Sequence, residues 1–415
     1  MVNAKYEAGK IRISSLIGVL ALLYILHKIL PIFGYYMPSF IYTGIFSLLF
    51  LLLILSAGWG FDQRNTLCLC LIFSVSVLGL VRPALSGSMH NMVIYVYGEL
   101  QILLYGLIGL WCCKHPNDKE VKRFFGVIIA GYILTAVTTF WGCTMFPQAA
   151  RYLATVSSAD ILYQKYVSYN IGGFSFVYEI VLLLPLLIYA IKERVINRII
   201  GVLLLVLACA TIISAEYTTA LLFFAVTLIL FFIKRLTAKK IWFFVIVCAV
   251  IALMGGTLLA NLFEWLSNTV ENEEFASRFE FLANLLSGQS LSDTSVSGLE
   301  RLELYQISWD AFWESSLLGG WNRLPLGGHS FVLDTLGNYG ILGGICLLFM
   351  NYGIYSICLR PYKKEEFYPY FLWIYIMALF MAIINPKTYL FIFICMLPLF
   401  ARMMRKNSKG KEAKT

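Results

Sequence analysis

Residues 40–57 read FIYTGIFSLLFLLLILSA, an uncharged apolar run long enough to cross the hydrocarbon core of a bilayer as one helix. Runs like it recur along the chain. With 60% hydrophobic and only 13% charged residues, and a mean hydropathy of +0.78, the sequence lies far outside soluble-domain composition. The expected fold is an all-α polytopic integral membrane protein of about twelve transmembrane helices. Their predicted positions are roughly 14–31, 40–57, 67–84, 92–113, 124–146, 174–191, 199–213, 215–233, 241–263, 330–357, 367–385 and 388–402.

The charge distribution orients them. An N-terminus in the cytoplasm makes segments 1–13, 58–66, 114–123, 192–198, 234–240, 360–366 and 402–415 internal, and these hold 24 of the 32 Lys and Arg. Both termini are therefore expected in the cytoplasm. The net charge of +9 reflects this topology: the basic residues are scattered over short loops, which argues against nucleic acid as a partner. The basic tail from Arg402 to Lys414 reads as an anchor on anionic membrane lipid. Lys5, Lys10 and Arg12 before the first apolar run resemble a signal peptide, but the run is long and lacks a small-residue cleavage site, so a first span is expected. The ten Cys lie in or beside predicted spans, so no disulfide framework is indicated. Cys112-Cys113-Lys114-His115 matches no standard zinc spacing, and no cofactor motif is found.

Three regions follow: residues 1–263 with nine spans and short loops, a large external loop at 264–329, and residues 330–415 with three spans and the cytoplasmic tail. A shorter external segment, 147–173, carries Arg151, Asp160 and Lys165. Loops of such length usually carry function. In the large loop ten acids oppose only Arg278, Arg301 and Arg323. Ser297-Gly298-Leu299-Glu300 reads as a capping box, predicting a helix over about 298–317 that Gly319-Gly320 ends. On that helix Leu302, Tyr305, Trp309, Phe312 and Trp313 form one stripe, apart from Glu303, Asp310 and Glu314, so it is expected to lie along the membrane surface.

Arg301 falls in the first turn of this helix with Tyr305 at i+4 and no carboxylate partner in that direction. A guanidinium at headgroup depth grips phosphate well through paired donors, and it equally serves as a snorkelling surface cation. Gly327-Gly328-His329-Ser330 then opens an apolar helix on which Ser330, Asp334 and Asn338 recur at i+4. Such a polar ladder faces either a wet cavity or the bundle interior. Histidine is the residue type that best exchanges a proton near neutral pH, although a helix-capping role fits this position as well. Glu99, Glu179 and Glu216 are further intramembrane acids, read either as partners for Arg82 or Arg151 or as proton-coupling groups.

The pattern Arg301 … Trp309 … Leu317-Leu318-Gly319-Gly320 … His329-Ser330 … Gly340-Ile341-Leu342-Gly343 resembles the O-antigen polymerase and O-antigen ligase superfamily of bacterial polysaccharide assembly. The resemblance is close over 300–345 and otherwise one of topology. Two features depart from the family pattern: Ser330 stands where Asn usually follows His, and Ser214-Ala215-Glu216-Tyr217-Thr218 lacks an Arg often found there. The resemblance implies a GT-C-like membrane glycosyltransferase in the bacterial inner membrane, metal-independent and active on the external face. The implied substrate is an oligosaccharide on undecaprenyl diphosphate, with a flippase and a chain-length regulator as further partners. His329 and Arg301 would be catalytic. Arg278, Arg323, Arg151, Arg82, Tyr305, Ser330 and Asp334 would bind diphosphate or glycan. An O-antigen ligase shares this donor chemistry. A polysaccharide flippase is the reading of another class, expected to show paired halves and interrupted helices, which the sequence does not display. The first external loop, 32–39, has no acid, which argues against glycosyltransferases with an early catalytic carboxylate.

Overall fold

A computed structural model describes residues 2–57, 62–86, 92–115, 118–233, 236–254, 256–270, 276–277, 279–280, 283–284, 296–320, 326, 328–386 and 392–412. The described residues are almost wholly helical, as the apolar runs require: a backbone in lipid must satisfy its hydrogen bonds within its own segment. Helices α1 (Val2–Ile29), α2 (Pro31–Tyr36), α3 (Ser39–Ala57), α4 (Gln63–Ser86), α5 (Met92–Lys114), α6 (Asp118–Met145), α7 (Ala149–Thr155) and α8 (Ile161–Ser168) come first. Then follow α9 (Phe174–Lys192), α10 (Arg198–Ser214), α11 (Thr218–Phe232), α12 (Ala238–Met254) and α13 (Gly256–Thr269). The last are α14 (Val296–Glu314), α15 (Phe331–Cys358), α16 (Tyr368–Ile384) and α17 (Ile392–Glu412).

Among the described residues six helices are long and apolar enough to cross a membrane, and further apolar helices are shorter. The chain is thus a helical membrane protein. Helix α13 carries on to Thr269, past the predicted end of the 241–263 span and into the predicted loop. The 330–357 stretch is interrupted at Gly340, whose φ of 60° and ψ of −149° are not helical. That interruption corrects the expectation of unbroken helices.

The chain forms two compact units. The first comprises residues 1–232, 348–378 and 388–415. Helix α9 of this unit is apolar around most of its circumference and buried accordingly. The one acid on α9, Glu179, accepts a hydrogen bond from the Tyr132 hydroxyl at 2.7 Å and lies within electrostatic reach of Lys28. These are the partners of Glu179 among the described side chains. At the end of α5, Arg402 donates to the carbonyls of Cys112 and His115, a cation on the C-terminal carbonyls of a helix. Arg402, read from sequence as part of a lipid anchor, is therefore a packing residue, and no metal cluster exists among the described residues.

Segment 147–173 is folded down onto α6. Asp160 caps α8, accepting from the amides of Leu162 and Tyr163 at 2.7 and 3.3 Å, and also accepts from the Tyr152 hydroxyl at 3.2 Å. Asn170 donates to the hydroxyls of Thr135 and Thr138 and accepts from the Ile32 amide, while Thr139 accepts from the Gly172 amide. Ser214 to Thr218 form the turn between α10 and α11.

The second unit comprises residues 233–347 and 379–387. Here α14 lies against the first half of α15 at backbone contact distance. The predicted helix over 298–317 is α14, which begins at Val296; Ser297 is therefore inside the helix instead of capping it, since the local sequence holds no proline and one early glycine is tolerated. Arg301 consequently stands in the second turn.

Candidate functional site

The two halves of the family-like pattern meet in a knuckle made of backbone. Past α14 the chain turns, with Gly319 donating to the Ser315 carbonyl and adopting φ of 74°. At the Gly340 break, α15 frees amides that an unbroken helix would use. Ile341 and Leu342 donate theirs to the carbonyls of Ser316 and Leu317, at 2.7 and 3.2 Å. A Cβ on Gly340 would lie 2.5 Å from the Ser316 carbonyl oxygen, and one on Gly319 would run into the backbone of Asn338 and Tyr339. Gly337 permits the same approach one turn earlier, against the Ser308 carbonyl. The Leu317-Leu318-Gly319-Gly320 and Gly340-Ile341-Leu342-Gly343 motifs are thus the two sides of one joint.

This closeness decides which face of α14 is inward. Ser308 and Ala311 are buried, whereas Trp309 and Trp313 are exposed and pack on each other and on Phe312. The packing face is the small-residue stripe, because large rings cannot enter a contact set by glycines, while the tryptophans of the aromatic stripe are left exposed. Glu303, Asp310 and Glu314 are exposed, as expected.

His329 is held by the same joint. Asn338 accepts from the Leu326 amide and donates to its carbonyl, at 3.0 and 2.8 Å, pairing with the chain as a neighbouring strand would. Ser330 is the cap of α15: its hydroxyl accepts from the Leu333 amide at 3.1 Å. Asp334 completes the turn. One carboxylate oxygen accepts from the amides of Gly328 and Ser330, the two residues flanking His329, both at 3.2 Å. The other accepts from the Ser308 hydroxyl of α14 at 2.8 Å. The ladder Ser330, Asp334, Asn338, read from sequence as lining a wet cavity or the bundle interior, spends its hydrogen-bonding groups on folding the His329 turn. Ser330 and Asn338 are buried. The His329 ring itself is half-buried and makes no hydrogen bond or ion pair among the described residues.

A third strand of chain closes the group. The Tyr305 hydroxyl donates to the Ile384 carbonyl at 3.0 Å, and the Phe331 amide donates to the Asn385 carbonyl at 3.1 Å. Adjacent residues 384 and 385 therefore tie α14 to the start of α15. On the helical wheel Arg301, Tyr305 and Ser308 fall within one narrow arc, so register puts Arg301 one turn from Tyr305 on the face that makes these bonds. Only the backbone of Arg301, and likewise of Arg82 in α4, is described; Arg278 and Arg323 lie outside the described residues. Arg151, half-buried in α7, belongs to the first unit.

Sequence reading missed Ser308, Gly337 and Asn385. Asn385 is 1% exposed, and its side-chain amide nitrogen has no partner among the described residues. Its signal was present: a polar residue followed by proline at the end of an apolar run. Comparison with models of known protein families gives no match, and comparison with curated proteins gives none either.

Proposed function

We propose that the chain is a polysaccharide polymerase of the bacterial envelope. It would transfer a growing glycan from undecaprenyl diphosphate to a lipid-linked repeat unit at the external face of the membrane. The observation that carries this reading is the fixed turn with a free ring. The backbone on both sides of His329 is bonded to Asp334 while its imidazole keeps its hydrogen-bonding capacity, and the Arg301–Tyr305 face of α14 is tied to the same short stretch, 384–385.

In the proposed reaction an acceptor sugar hydroxyl attacks the anomeric carbon of the donor glycan. The new C–O bond forms as the bond from that carbon to the diphosphate oxygen breaks, with inversion. His329 takes the hydroxyl proton, and the diphosphate leaves with the bonding electron pair. A general base of this kind contributes about 10²–10⁴-fold. The developing charge on the leaving diphosphate needs preorganised cationic donors, the role of Arg301. Arg278 and Arg323, on the same predicted loop, are the supporting candidates.

The interruption at Gly340 is a feature that a flippase would also show, since transporters bind substrate at broken helices. Here, however, the freed amides of Ile341 and Leu342 are taken by Ser316 and Leu317, which favours the enzyme. The test is the purified protein reconstituted with lipid-linked repeat. A ladder of longer lipid-linked glycans supports polymerase activity, and its loss in His329→Ala and Arg301→Ala supports the assigned roles. Transfer only to a lipid A core acceptor would mean a ligase. Relocation of intact repeat across the bilayer, with no new glycosidic bond, would sink the enzymatic reading.

A further inference from the structure

Within the first unit, α6, α9, α10 and α17 line a half-open cavity of about 420 Å³ that the proposed reaction does not use. Its α6 wall is one helical face, passing through Lys122, Phe125, Ile129, Tyr132 and Ala136. At 1.5 Å per residue, this face runs about 21 Å from Lys122 to Ala136. One leaflet of a bilayer is about 15 Å of hydrocarbon, so the wall is long enough to sheathe a lipid chain along its whole length. Apart from Lys122 and Tyr132 the lining is apolar. Tyr132, one turn before Ala136, gives its hydroxyl to Glu179, so that donor is already engaged. At the other end of this face stands Lys122, exposed and with no ion-pair partner among the described residues.

We infer that this cavity is a binding site for one acyl chain of an anionic phospholipid, whose headgroup phosphate meets Lys122. The charge decides the occupant. Lipid tails are as apolar as the leucines of the lining, so the cavity gains little from a chain as such. An unpaired ammonium at the rim discriminates between headgroups, as basic residues near a membrane surface do for anionic lipid. Lys122 lies in segment 114–123, which the positive-inside count assigns to the cytoplasm, the leaflet in which a lysine meets anionic headgroups. The inference does not rest on the polymerase reading.

The experiment is native mass spectrometry of the full chain released from vesicles of phosphatidylglycerol and phosphatidylcholine in equal amounts. The expected result is one phosphatidylglycerol retained per chain. Lys122→Glu should lower the phosphatidylglycerol to phosphatidylcholine ratio at least tenfold. Ala208→Trp, which fills the cavity from the α10 side, should remove bound lipid of either kind. Retention of lipid by Ala208→Trp at the wild-type level, or an unchanged ratio in Lys122→Glu, would overturn the inference. So would retention of an isoprenoid or detergent in place of phospholipid. Should Ala208→Trp fail to accumulate, Ala136→Leu tests the same volume, and the exposed Lys122 variant stands on its own.

Discussion

Segments 147–173 and 328–331 are both fixed in place by polar side chains, yet they differ in what is left over. In the first, Asp160 is used as a helix cap, and Lys165 lies over the Phe146 ring at 4.9 Å. Asn170 and the Thr135–Thr139 hydroxyls bond one another and the backbone. In the second, Asn338, Ser330 and Asp334 are used in the same way, but the residue they surround keeps a ring without a hydrogen bond. Polar residues alone do not distinguish the two segments; the fixed backbone around a ring with no hydrogen bond among the described residues does.

The comparison breaks most easily at His329. His329→Ala should lower polymerising turnover about 10²–10⁴-fold without shifting the unfolding midpoint, read by glycan ladder and by thermal denaturation in detergent. A matching loss from Asp160→Ala would erase the distinction between the segments. Gly340→Ala should cost about 2–4 kcal/mol, combining a left-handed φ with a Cβ driven toward the Ser316 carbonyl, and should reduce the folded yield in the membrane. Asp334→Ala leaves the Ser308 hydroxyl and two amides without their acceptor. Its expected cost is about 1–3 kcal/mol, with hydrogen exchange at Gly328 and Ser330 accelerated while exchange in α9 is unchanged. Asp160→Ala should cost about 1 kcal/mol, the loss of a cap, and leave turnover alone. Trp309→Ala, at an exposed ring, should change stability by no more than about 0.5 kcal/mol in detergent.

The apolar runs were legible because span length is dictated by the bilayer, so most predicted spans fall on described helices. The interruption of α15 was hidden. Gly340 sits among apolar residues in Asn338-Tyr339-Gly340-Ile341-Leu342, and nothing local says that the partners of the freed amides lie on Ser316 and Leu317. The site was half legible. Arg301, Tyr305, His329 and Asp334 stand out by residue type, and the structure ties Tyr305, Asp334 and the His329 turn together. The inward face of α14 was not legible, because a helical wheel ranks residues by hydrophobicity while α14 packs by size, with Ser308 and Ala311 inward. Asn385 carried a signal, a polar residue before proline at the end of an apolar run, but its contribution to the joint is a carbonyl, which every residue has.

The knuckle at Gly319 and Gly340 also bears on biogenesis. The chain is made from its N-terminus, so the carbonyls of Ser316 and Leu317 leave the ribosome before the amides of Ile341 and Leu342 that will need them. A discontinuity that would be costly in lipid if left open therefore has its complement waiting upstream, within a short loop of chain. Closure of so local a contact is fast, which suits a helix handed from the translocon to the bilayer with its hydrogen bonds already accounted for.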